Sequence, residues 1–60
     1  MYVIVNNDNN KFATPEGSEY SYTRNLQNAQ VFKTEIQARE FGVCGNECVV
    51  PLEDYLHIKD

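Results

Sequence analysis

The groups in this chain with chemistry to offer are two cysteines, one histidine and a scatter of carboxylates and hydroxyls. Their spacing decides what each can do. Cys44 and Cys48 form a C-x3-C pair, and His57 follows well beyond them. Three soft ligands without a fourth do not close a tetrahedral zinc site within one chain. A single thiol pair is also not a disulfide framework, which takes more bridges in a domain this small. The pair reads as two small, partly buried thiols flanking a turn at Gly45 and Asn46. A redox-sensitive pair and a metal shared between subunits are the alternatives. Asp8, Asn10 and Glu19 match the first, third and last positions of a calcium loop, but Phe12 and Ala13 stand where a ligand and the obligatory glycine belong.

The remaining titratable groups read the same way. Glu53 and Asp54 are adjacent and close to the end of this sequence, where burial deep enough to tune a carboxyl for acid–base work is not expected. They read as a solvated charge pair. His57, between Leu56 and Ile58, reads as an interface or surface residue rather than a general base. Ser18 and Ser21 have no His or Asp placed nearby in sequence to build a triad. No glycine-rich loop is present to cradle a phosphate. The expectation is a non-enzymatic protein with no catalytic residue, cofactor or metal.

Size and charge narrow the classes further. Sixty residues make one domain, 1–60, with a core over 1–52 and a tail over 53–60. A chain of this length buries only roughly 60% of its unfolded surface on folding. It has little room for both a core and a deep pocket. The formal net charge is −4, and the cations Lys11, Arg24, Lys33, Arg39 and Lys59 stand singly. That is the wrong sign and pattern for direct nucleic-acid binding. The longest apolar run, residues 2–5, is far short of a membrane span. No charged segment leads into an apolar one as in a signal peptide, so a cytoplasmic protein is expected.

The elements that must position these groups follow from local pattern. Residues 1–6 read as a strand with apolar side chains on both faces, hence central or covered on both sides. The Asn/Asp run at 6–10 is a hairpin turn, and residues 11–14 return as a second strand with Phe12 inward. Pro15 and Gly17 break it. Residues 19–23 alternate aromatic and polar, as a short strand or extended edge. Residues 24–30 make a polar connector into a short buried anchor at Val31 and Phe32. Thr34 with Gln37 three residues on forms a capping box, and Glu35 suits the first turn of a helix. Ala38 and Phe41 are expected to face the sheet with Ile36 beside them. Gly45 is the expected stop, with Gly42 as an earlier alternative. Residues 47–52 close the sheet, and Pro51 marks an edge. The sum is an α+β fold: a small antiparallel sheet of three to four strands with one helix packed on one face.

The run Asn25-Leu26-Gln27-Asn28-Ala29-Gln30-Val31-Phe32-Lys33-Thr34-Glu35, with Ala38 and then Val49-Val50-Pro51, resembles a loose class of very small phage-encoded proteins. In that class a hairpin is followed by a Leu-x-x-Ala-x-Val-Phe-x-Thr approach to one helix and a closing Val-Val-Pro strand. The resemblance spans about residues 1–53 and carries no catalytic residue across. It implies an acidic inhibitor that binds and blocks a host protein, including components of defence systems.

The candidate partner-binding residues are Tyr20 and Tyr22, because tyrosine is enriched at interfaces, and Glu53, Asp54, Tyr55, Leu56 and Ile58. In the tail group an apolar trio is expected to dock while the acidic pair steers a basic partner. A host protein is the expected partner. Alternatives are a small structural or regulatory homo-oligomer with a swapped tail, or an oligomer sequestering a nucleotide with Arg24, Lys33 and Arg39 at a subunit interface. Glu16, Glu19, Glu47, Glu53, Asp54 and Asp60 raise a further idea, a surface imitating the DNA backbone.

The helix start is open to direct measurement. Thr34→Ala should cost about 0.5–2 kcal/mol in chemical unfolding; an unchanged midpoint would place the start of the helix elsewhere.

Overall fold

The computed structural model describes residues 1–56. The expectations for His57, Ile58 and Asp60, and for the Leu56 side chain, lie outside the described residues. The chain forms β1 (Tyr2–Asn6), β2 (Lys11–Ala13), β3 (Tyr22–Thr23), a 3-10 turn (Leu26–Asn28), α1 (Glu35–Phe41), β4 (Glu47–Pro51) and α2 (Glu53–Leu56). The strands make one antiparallel sheet in the order β3-β2-β1-β4. This is the expected α+β architecture, with four strands and one helix of seven residues. No helix among the described residues is long and apolar enough to cross a membrane.

β1 is central because its two faces are both apolar. Side chains alternate across a strand, so Val3 and Val5 go one way and Ile4 goes the other. Val3 and Ile4 are completely buried, each stabilising the fold by about 1.5–3 kcal/mol relative to exposure. On the first face Val3 and Val5 join Phe12 and Ala29, with Leu26, Val31, Val50, Leu52 and Tyr55 packed around them. On the second face Ile4 meets Ala13, Phe32 and Ala38, bordered by Tyr2, Tyr22, Val43 and Val49. The 3-10 turn and α2 cover the first face; α1 covers the second.

The hairpin between β1 and β2 is held by asparagines. Asn10 has a left-handed φ of 59°, a conformation Asn tolerates. Its N–H donates to the Asn6 carbonyl at 2.8 Å. The Asn6 side chain accepts from the Asp8 N–H, and Asn9 from the Lys11 N–H. Asp8 in turn accepts from the Asn46 amide at 3.0 Å, which ties the hairpin to the turn before β4. Beyond Phe12 the flank of β1 passes to another segment. Gln30 donates to the Ala13 carbonyl, and Phe32 exchanges two 2.8 Å bonds with Tyr2. The expected anchor at Val31 and Phe32 is thus a one-pair extension of the sheet.

α1 starts where its cap dictates. The Thr34 hydroxyl accepts from the Gln37 N–H at 3.1 Å. The Gln37 side chain accepts from the Lys33 N–H, one residue before the usual partner in a capping box. The far end differs from expectation. The helix stops at Gly42, not Gly45, because Gly42 takes φ 113°, which a side chain would strain. The shorter helix turns only Ala38 fully inward. Ile36 points to solvent at 69% exposure, and Phe41 is 42% exposed at the rim, edge-on to Phe32 at 5.2 Å. Neither is the core residue expected. The connector at residues 24–30 also holds more structure than expected, since Asn25 caps the 3-10 turn by accepting from the Gln27 N–H.

β4 forms an outer edge. Asn7 donates to Asn46, and Leu52 donates to Met1, at the two ends of its pairing with β1. By alternation, Glu47, Val49 and Pro51 turn their backbone groups away from β1. Glu47 gives its N–H to the Cys44 carbonyl at 3.0 Å, and proline has none to give.

The two phenylalanines should separate cleanly in unfolding experiments. Phe32→Ala is expected to cost about 3–5 kcal/mol as a buried core deletion. Phe41→Ala should cost little beyond the aromatic pair, about 0.5–1.5 kcal/mol. Equal losses in urea melts would contradict the rim position of Phe41.

Candidate functional site

Between β2 and β3 the chain makes a closed loop over residues 14–21. Gly17 (φ 88°) completes a turn in which Ser18 donates to the Pro15 carbonyl at 3.1 Å. The Thr14 N–H donates to the Ser21 carbonyl, and the Thr14 hydroxyl donates to the Tyr20 carbonyl. With its own backbone tied inward, Tyr20 projects at 71% exposure. Clefts lie on both sides of it. One, about 290 Å³, opens between the loop, the end of α1 and the start of β4, and includes Glu16, Tyr20, Tyr22, Phe41, Cys44 and Glu47 in its lining. The other, about 520 Å³, runs toward the 3-10 turn, with Tyr20, Tyr22, Gln27 and Asn28 along it.

Glu47 organises the first cleft. One carboxylate oxygen accepts the Cys44 N–H at 2.8 Å, and the other accepts the Tyr22 hydroxyl. Burial pushes this carboxyl up, but the hydrogen bonds from Cys44 and Tyr22 outweigh it and hold the group below its ordinary value. The same contact acts oppositely on its partner. The hydrogen bond to Glu47 favours the protonated phenol, so Tyr22 titrates above its ordinary value. Both groups move away from neutrality, whereas an acid–base catalyst is tuned toward the working pH. The pair presents a fixed negative charge and a neutral phenol.

The thiols do not meet. Cys44 borders this cleft and is exposed, where a partly buried thiol was expected. Cys48 is half-buried on the opposite face of the sheet, where its thiol donates to the Asn7 side chain at 3.4 Å. Among the described residues no group of three His, Cys, Asp or Glu side chains gathers to hold a metal ion.

Of the residues singled out from sequence, Tyr20 and Tyr22 come together here. The tail group is separate. Tyr55 is half-buried, packed edge-on against Phe12 at 5.0 Å on the other face of the sheet. Its ring covers this chain's own core, so it is not part of the exposed apolar trio expected. Glu53 pairs with the Met1 ammonium at 3.1 Å, and Asp54 is exposed on the same short helix. Of the acidic residues, Glu16 and Glu47 line the first cleft, Glu19 lines the second, and Glu53 and Asp54 lie on α2. Arg39 is paired with Glu35 at 2.6 Å on the outer face of α1, while Arg24 and Lys33 are exposed.

The role of Glu47 has no local signal in the sequence. Tyr22 and Glu47 are 25 residues apart and meet only through the fold. A partial signal lies in Phe41 standing directly before the glycine that ends α1. No family model matches the chain, and neither a curated protein nor a solved structure matches it significantly.

The Tyr22–Glu47 contact predicts a pH signature. Glu47 titrates lower in the folded protein than in the unfolded chain, so its contribution is present above pH 4.5 and lost as pH falls through the lowered value. Tyr22 titrates higher, so its contribution is present below pH 10 and lost as pH rises through the raised value. Thermal midpoints of the protein and of Glu47→Gln should differ at pH 7 and converge as the pH falls below 4.5 and through the lowered value. Parallel profiles across that range would show the contact to be energetically silent.

Proposed function

We propose that the protein is a non-enzymatic binding module that acts by occupying and blocking a partner protein. The observation that carries this reading is Tyr20, held at 71% exposure by a hydrogen-bonded loop with a cleft on either side. Exposed tyrosine is a preferred anchor of protein interfaces. A loop already closed by its own hydrogen bonds loses little freedom on docking, which favours affinity. Phe41, half-exposed across the first cleft, extends the aromatic surface. The resemblance to very small phage-encoded proteins supports a host protein as partner and inhibition, including of a defence system, as outcome.

The experiment is affinity capture of a partner on tagged protein, followed by stoichiometry of the purified complex. A one-to-one complex with the native chain is expected. Tyr20→Ala should weaken it at least tenfold, about 1.4 kcal/mol, with circular dichroism unchanged. Loss of the partner with Asp54→Asn but not with Tyr20→Ala would move the contact surface to α2. Unaltered binding by both variants would remove both surfaces.

A further inference from the structure

We propose that the cleft between the 14–21 loop and the start of β4 receives a basic side chain, arginine above all, presented by the partner protein. Glu47 serves as its counter-charge, and the rings of Tyr20 and Phe41 serve as walls. This rests on the binding-module reading and names the chemistry of the partner's contact.

Charge selects the occupant first. Among the described residues the cleft is lined by two carboxylates, Glu16 and Glu47, and by no Lys, Arg or His. An anionic group entering it meets like charge. An apolar group would cover a carboxylate without offering it a donor, which is unfavourable. A cation meets neither penalty.

Position selects further. The Cys44 N–H and the Tyr22 hydroxyl each occupy one oxygen of Glu47. An ionised carboxylate has about four acceptor sites, so both oxygens keep capacity for an incoming donor. The two bonds also fix where the charge sits, and a fixed acceptor needs no rearrangement when the ligand arrives.

The walls favour a flat cation. Tyr20, Tyr22 and Phe41 all line the cleft. Aromatic faces attract cations, and a planar guanidinium stacks on them while its N–H groups point at a carboxylate. A volume of about 290 Å³ lies at the lower limit of small-molecule pockets. It fits one long side chain rather than a whole cofactor. The ridge of Tyr20 beside it offers the rest of the partner a surface to lie on.

The test uses the full chain, labelled with nitrogen-15, and a random peptide library displayed for selection. N-acetyl-arginine amide should shift the backbone signals of Tyr20, Phe41, Cys44 and Glu47, while the norleucine and glutamate analogues do not. Selected peptides should carry Arg or Lys at a constant position. Their affinity should fall about tenfold for Glu47→Gln, the scale of one charge-assisted contact, and comparably for Tyr20→Ala, an exposed position whose change leaves the fold intact. Peptides without a basic residue, or peptides that bind both variants as well as the native chain, would overturn the basic-pocket assignment and leave the binding-module reading standing. Free arginine or agmatine binding as tightly as the peptides would overturn the assignment of a partner's side chain in favour of a small ligand. An absence of shifts and of selected peptides would overturn the pocket; if partner capture also failed, the binding-module reading would fall with it.

Discussion

A strand that is apolar on both faces must be covered twice, and in a chain this short that demand shapes everything else. β1 carries Val3 and Val5 on one side and Ile4 on the other, all buried. Neither face can be left to water without losing a large share of the stabilisation available to a marginal domain. The chain covers one face with α1. It covers the other with pieces too small to count as layers alone, the 3-10 turn and α2. Single residues do much of the closing: Ala38 lets α1 lie close to Ile4, and Tyr55 lays its ring against Phe12.

The candidate site is where this covering ends. α1 has seven residues and stops at Gly42, before it reaches the β2–β3 end of the sheet. The loop after β2 closes on itself and does not extend across the gap. What remains is a cleft whose floor is the edge of the core and whose walls are the half-used rings of Tyr22 and Phe41. Glu47 spans it from the β4 side and joins β3 to β4, the two outermost strands, through the Tyr22 hydroxyl. The opening thus lies where the covering of β1 ends, and Glu47 gives it its charge.

Local pattern revealed the parts of this structure that are decided locally. The two-sided apolar run of β1, the asparagine hairpin and the Thr34–Gln37 cap each act over a few residues, and each stands where the pattern places it. The errors fall where distant residues compete. Gly42 and Gly45 both suit a helix end by type, but only the backbone angle at Gly42 chooses between them. Ile36 fits a helical stripe by spacing, yet a seven-residue helix presents too little inward surface to use it. Tyr55 looks like loose apolar tail until Phe12 is known to lie beneath it. In the site, two tyrosines were legible as exposed aromatic chemistry. Their acidic neighbour was not, because its partner stands in another strand.

The outer edge of β4 carries a consequence for how this protein behaves in a crowded solution. An exposed strand edge invites other chains to extend the sheet, and repeated extension leads to fibres. Here the outward positions are Glu47, Val49 and Pro51. The first has its N–H bonded to Cys44 and the last has no N–H, so among the described residues Val49 alone offers the outward donor–acceptor pair of a ladder. A newcomer gains one rung and then meets a proline ring at one end and a turn at the other. This edge therefore offers an added strand little to build on.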